Sequence, residues 1–182
     1  MALCAINKKG DAGAVLSDCG AYRYVLWRCW DEEKDWLIWI LLNPSTADGT
    51  QNDATIRRCM SYAKARGNGG IGVYNLFALR AANPKELRTA SDPVGPLNDH
   101  YLREIPKNRF VVCAWGANAN HFQERVKAVK RILGGKLLIH LGTARGQPRH
   151  PLRLAKTLSA SPWALASIRY INQSGYAPAA AL

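Results

Sequence analysis

Along the chain, apolar positions fall into short unbroken runs, separated by polar loops and by stretches with helical spacing. Residues 22–30, "YRYVLWRCW", alternate and are rich in aromatics, as strands are. Residues 36–42, "WLIWILL", form a continuous apolar run of strand length. The charged "DEEKD" between them reads as a turn, so the two are expected to pair as a hairpin whose second strand is buried. Asn52 or Asp53 caps a helix predicted to reach Arg66, with Ile56, Met60 and Ala63 at helical spacing and Gly67 at the stop. Further strands are predicted over 71–75, 109–115 and 136–142. A helix is predicted over 117–133, with Phe122, Val126, Val129 and Leu133 on one face. Residues 82–88 read as a helical turn or short helix, 91–99 as a loop with a short helix following to Glu104, and 143–153 as a basic loop. One more helix is expected near 152–158.

Apolar strands alternating with amphipathic helices imply a parallel sheet covered on both faces. The expected fold is a three-layer α/β/α sandwich, with a central, mostly parallel four-stranded sheet plus an N-terminal hairpin. The 182 residues suit one domain, 1–182, of which 159–182 form a weakly patterned C-terminal tail. No run approaches the ~20 apolar residues of a membrane span, and "MALCAINKKGD" lacks a basic-then-apolar signal pattern. A soluble cytoplasmic protein, a monomer with no membrane partner, is expected. The five cysteines are odd in number and none is spaced C-x-x-C, so free thiols and no metal site are expected.

Charge changes the picture. Residues 1–50 hold five basic and seven acidic residues, whereas 51–182 hold twenty and six, and from Arg125 onward there are ten basic residues and no acid. A one-signed surface of this kind attracts polyanions, and nucleic acid is the commonest.

In open α/β sheets, ligands bind outside the carboxyl ends of the strands. Four polar elements follow strand ends here: residues 43–53, Asn75, Trp115-Gly116, and the loop with Arg145, Arg149 and His150. Parallel strands would gather all four at one edge. The sequence has no G-x-x-x-x-G-K-[ST], no G-x-G-x-x-G opening a helix, no G-x-S-x-G and no H-x-x-x-H. "RGNGG" at 66–70 precedes a strand, the wrong place for a phosphate loop. What remains is Asn, Asp, Ser, Thr and one His on a basic protein. Such groups position a water and stabilise a leaving anion without metal or cofactor, which is what cleavage of an N-glycosidic bond requires.

Each candidate has a plainer reading. Asn43-Pro44 is a common turn start, and Asp53 or Asn52 is an N-cap. Asp48 has no evident capping role. Asn75 would be a poor filler in a buried strand. His150 could be a solvated loop residue, and His140 a core residue. Tyr74, Phe77 and Trp115 suit the core, although one of them could stack on a flipped base. Arg57 and Arg58 suit a solvated helix face, while Arg145, Arg149 and Arg153 suit phosphates.

The stretches "LNPSTAD", "NDATIRRC", "VYNLFALRA", "DPVGPLND", "VVCAWG" and "RHPL" resemble the motifs of a bacterial and phage family known mainly as a domain of unknown function. The match spans about residues 22–158. The order of motifs is in turn similar to that of the uracil-DNA glycosylase superfamily, small three-layer domains with a parallel four-stranded sheet. That resemblance implies a water held after the first strand, matched by Asn43-Pro44. It implies an Asn reading the base edge, matched by Asn75, and a His-Pro facing the departing base, matched by His150-Pro151. Leu41 replaces the glycine of the first motif and Leu152 the serine of the last, which points away from plain uracil.

The expected function is therefore a DNA glycosylase acting on a modified base, with a role in phage defence conceivable and no cofactor. Asn43, Asp48, Asp53 and His150 are the catalytic candidates. Asn75, Ser45, Thr46, Phe77 and Trp115 are the base-binding candidates. Arg57, Arg58, Arg145, Arg149 and Arg153 would hold DNA, single- or double-stranded. The alternatives are a non-catalytic nucleic-acid-binding module and a hydrolase of free nucleosides or nucleotides.

Overall fold

The computed structural model describes residues 11–45 and 47–154, and the backbone of residues 161–162. Strands β1 (Ala12–Leu16), β2 (Arg23–Cys29), β3 (Trp36–Leu41), β4 (Gly70–Asn75), β5 (Phe110–Cys113) and β6 (Leu137–His140) build one sheet. Its order is β1-β2-β4-β3-β5-β6, with a two-residue strand, Ser161–Pro162, along β6. The four strands β4, β3, β5 and β6 run parallel to one another. The predicted parallel unit is thus present, but inside a larger mixed sheet that β1, β2 and the last short strand extend in antiparallel sense. The expectation of a four-stranded sheet was too small.

Alternation along β3 shows how the layers arise. Leu37, Trp39 and Leu41 face helix α1 (Ala54–Ala65), whose Ile56, Cys59 and Ala63 are buried against them. Ile38 and Ile40 face the opposite layer. There Leu102 of α2 (Asn98–Arg103) packs with Val126 and Val129 of α3 (Gln123–Ile132). Both faces of the sheet are covered, which is why its strands read as unbroken apolar runs.

The hairpin expectation fails. Residues 22–30 and 36–42 do not pair, because β4 lies between β2 and β3. The charged turn instead crosses the start of β4, where the amides of Trp30 and Asp31 both donate to the carbonyl of Gly69. A Cβ on Gly69 would stand 2.0 Å from the Asp31 carbonyl oxygen, and one on Gly70 would enter the Trp36 ring. "RGNGG" is therefore a crossing point, and its small residues give the turn room to pass over.

Three smaller departures bear on the site. The predicted helix over 117–133 starts as a 3-10 turn, Ala117–Phe122, before α3 begins. The basic loop contains a tight hairpin of β7 (Thr143–Ala144) and β8 (Gln147–Pro148), turning through Arg145 and Gly146, both at positive φ. The helix expected near 152–158 is a 3-10 turn, Pro151–Arg153, with Leu154 extended after it. Residues 155–158 lie outside the described residues, as does the tail apart from the backbone of 161–162.

From β3 the chain passes through α1 to β4 on one side, then returns to β5 on the other side of β3. The loops leaving β3 and β5 therefore part from each other. That divergence is a topological switch point, where open α/β sheets form a crevice.

Candidate functional site

The polar loop after β3 owes its shape to two buried arginines of β2. Arg28 donates from Nε to Oδ1 of Asn52 at 2.8 Å and from Nη2 to the carbonyls of Asp48 and Gln51 at 2.8 and 3.2 Å. Its Nη1 bonds the Trp27 carbonyl at 2.7 Å. Arg23 donates from Nη1 to the Ala47 carbonyl at 2.5 Å. Buried carbonyls must be paired, and these cations pair the ones that the irregular loop leaves over.

A cleft of about 790 Å³ opens at the switch point. Leu41, Leu42, Asn43 and Ser45 line it from β3 and its loop, and Asp53 and Thr55 from the start of α1. Trp115, Gly116 and Asn118 follow β5, while Ala144, Arg149, His150 and Arg153 come from the last loop. A shallower lobe of about 400 Å³, with Arg80 in its wall, joins it at Ser45, Ala81 and Ala82.

The side-chain nitrogen of Asn43 donates to the carbonyls of Pro44 and Ala81, at 2.9 and 2.7 Å. Two carbonyl partners fix which end of the amide is nitrogen, and Oδ1 remains as an acceptor in the cleft wall. Asp53 caps α1, one carboxylate oxygen accepting the Ile56 amide at 2.8 Å. His150 caps the 3-10 turn after it, Nδ1 accepting the Leu152 amide at 3.4 Å. A neutral imidazole accepting at Nδ1 carries its proton on Nε2, so His150 presents a neutral N–H donor. Burial lowers the His150 pKa, opposed by Asp53 and assisted by Arg153. Gly116, at φ 78°, lets the β5 loop close on this residue, since a Cβ there would stand 3.2 Å from the His150 Cβ.

Trp115 is buried and donates to Oε1 of Gln147 at 2.8 Å. Gln147 donates to Oδ1 of Asn120, and Asn120 to the Arg145 carbonyl. This chain ties the last hairpin to the turn after β5.

Of the predicted site residues, Asn43, Ser45, Asp53, Trp115, Arg149, His150 and Arg153 share the cleft. The others lie elsewhere. Asp48 turns outward, its Oδ1 accepting from the amides of Thr50 and Gln51 at 2.8 Å each, and these bonds lower its pKa. Phe77 is a core residue, edge-on to Phe122 at 4.8 Å. Arg57 donates to the Asn52 carbonyl, and Arg58 to the Leu154 carbonyl at 2.6 Å, both knitting α1 to its surroundings. Arg145 stands at the hairpin tip, outside the lining. Thr46 lies outside the described residues.

Asn75 is fully buried, and neither end of its amide has a partner among the described residues. Its strand runs between those of Arg23 and Leu41, both of which line the cleft, and it is in register with Leu41. The amide thus lies beneath the floor rather than in the lining.

The reading of the sequence missed Arg23, Arg28, Asn118 and Gln147. The first two did leave a signal, because two arginines inside an apolar strand must be buried with partners or toward a ligand. Among the described residues no group of three or more His, Cys, Asp or Glu is placed to hold a metal, and no helix is long and apolar enough to cross a membrane. Cys19, Cys29, Cys59 and Cys113 are free thiols.

No curated protein and no solved structure matches the chain. The family described as "Protein of unknown function (DUF1643)" matches residues 23–152, well over half of the chain, and the chain belongs to that family.

Proposed function

We propose that this member of the DUF1643 family is a DNA glycosylase, hydrolysing the N-glycosidic bond of a modified base in the cleft at the switch point. One observation carries the reading: the Asn43 acceptor, the Asp53 carboxylate and the neutral His150 donor line a single cleft with Arg149 and Arg153. The similarity of motif order to the uracil-DNA glycosylase superfamily supports it as well.

In this reading a water sits between Oδ1 of Asn43 and the carboxylate oxygen of Asp53 that the helix cap leaves over. As the bond from C1′ to the base nitrogen breaks, the sugar becomes cation-like and the electron pair leaves with the base. The water oxygen bonds C1′, and its proton passes toward Asp53. Nε2–H of His150 donates to the departing anion, and a neutral imidazole does so without first losing a charge. Arg149 and Arg153 hold phosphates on either side of the flipped nucleotide. Of the two loop carboxylates among the catalytic candidates, Asp53 rather than Asp48 is given the water, since the Asp48 carboxylate is engaged in its own turn. Such an enzyme would serve defence against phages whose DNA carries modified bases.

The test is incubation with DNA bearing varied modified bases, followed by alkali to break abasic sites and mass spectrometry of released bases. Release of a free base, lost in His150→Ala, is the expected result. DNA binding with no abasic site on any substrate would favour a non-catalytic binding module. Release from nucleosides but not from DNA would favour a nucleoside hydrolase.

A further inference from the structure

Arg23 has no role in the chemistry above, yet its surroundings are those of a receptor. It lies in the cleft lining and is 2% exposed. A guanidinium offers five N–H donors. Among the described residues Arg23 uses one, from Nη1 to the Ala47 carbonyl. Its Nε is buried without a partner, and no carboxylate stands within ion-pairing distance of it among the described residues. Burial pulls its pKa down to about 10, against the attraction of Asp53 and Asp48, so it stays charged at neutral pH. Arg28, on the same strand, shows the contrast, with every guanidinium nitrogen bonded to a carbonyl or amide oxygen. Buried charges are ordinarily paired, and among the described residues Arg23 is a buried cation with no anionic partner at ion-pairing distance.

We propose that Arg23 is an oxyanion receptor in the floor of the cleft, taking a carboxylate or phosphate of the ligand on the donors that Ala47 leaves over. Depth decides which of the two it is. Arg149 and Arg153 are exposed at the rim, where a DNA backbone runs, while Arg23 is buried where a flipped base ends. Resting on the glycosylase reading, the oxyanion is therefore a substituent of the base, and the substrate class is a carboxylated pyrimidine. The amide of Asn75, on the adjacent strand and without a partner among the described residues, fits the same class, because a pyrimidine edge presents both donors and acceptors.

Isothermal titration of the intact protein with 5-carboxyuracil, uracil, uridine monophosphate and inorganic phosphate tests this without requiring any cleavage. The expected result is that 5-carboxyuracil binds at least about tenfold tighter than uracil, the worth of one charge-assisted hydrogen bond. Arg23→Met should abolish that preference, Arg23→Lys should keep part of it, and Arg131→Met, at an exposed position of α3 outside the cleft, should keep all of it. Tighter binding of phosphate and uridine monophosphate than of 5-carboxyuracil, again lost in Arg23→Met, would support the receptor with phosphate as its oxyanion. Equal affinity of the parent protein for 5-carboxyuracil and uracil, with no binding of phosphate, would overturn the proposal, and needs no variant to fold. Failure to release any base from DNA would sink the glycosylase reading and leave this comparison standing.

Discussion

The side-chain nitrogen of Asn43 donates to the carbonyl of Ala81 at 2.7 Å, joining the loop after β3 to the segment that follows β4. The bond makes Asn43 a structural clasp and a cleft-wall acceptor at once. Asn43→Asp should therefore be more damaging to stability than Asn43→Ala. The acid would set a carboxylate oxygen against two carbonyls, those of Pro44 and Ala81, where the alanine leaves them only unpaired. A loss of about 1–3 kcal/mol is expected for the alanine, and more for the acid. Urea unfolding of the three proteins checks the order.

His150→Ala should slow single-turnover base release by ~10²–10³, the usual cost of losing one donor to a developing anion, and leave DNA affinity nearly unchanged. The histidine also predicts a pH dependence of stability. Its folded pKa is lowered by burial. The unfolded chain thus takes up the proton first as pH falls. Stability present above the ordinary histidine range is lost as pH drops through that range toward the lowered value. His140 shifts in the same direction and remains in the variant. Melting temperatures between pH 8 and 5 should fall less steeply in His150→Gln than in the parent.

The two loop carboxylates should separate. Asp53→Asn keeps an acceptor for the Ile56 amide, so α1 retains its cap, but base release should drop steeply. Asp48→Asn keeps Oδ1 for Thr50 and Gln51 and lies outside the cleft, so release should stay near the parent's. Single-turnover rates for both variants decide it. A severe loss in Asp48→Asn alone would assign the water to that residue instead.

DNA affinity should fall with salt, and replacing Arg149 and Arg153 together should reduce the slope by about 1.8, at ~0.9 per phosphate contact on duplex DNA. Arg58→Met should leave the slope alone while lowering stability, because its guanidinium holds the Leu154 carbonyl. Titrations at four salt concentrations distinguish the two effects.

Asn75→Leu should raise the melting temperature. An unpaired buried amide costs about 1–3 kcal/mol, and leucine fills nearly the same space without that cost. If Asn75 contacts the base when the floor admits it, the stabler variant will lose base release, the exchange expected of a functional site. A stabler and fully active variant would remove Asn75 from the site.

The strands of the parallel unit were legible because both of their faces are covered, so Trp36 to Leu41 had to be apolar throughout. The convergence of Asn43, Trp115 and His150 was legible for a related reason: parallel strands place their following loops at one edge. The neighbours of β2 were not. Whether a five-residue charged turn closes a hairpin or crosses a strand depends on what lies beneath it, and here the decisive residue, Gly69, is far along the chain. Asp48 and Asp53 look alike as letters in one polar loop. Only the start of α1 at Ala54 turns one carboxylate into the cleft and leaves the other outside. Arg23 and Arg28 carried the loop's architecture, but their meaning depended on carbonyls whose positions no local pattern reveals.

Arg28 grips the loop after β3 chiefly by its main chain. The carbonyls of Asp48 and Gln51 are generic groups that every residue supplies, and Asn52 is the one side chain it selects. The scaffold thus fixes the path of this segment while leaving most of its side chains unspecified. Asp48 holds its own turn through its carboxylate, but the Thr50 and Gln51 amides it accepts are again main chain, so positions 50 and 51 form an interchangeable pair, where relatives could trade residues beside the cleft without rebuilding its frame. A library randomised at these two positions should fold at close to parental frequency, whereas one that also randomises Arg28 should not.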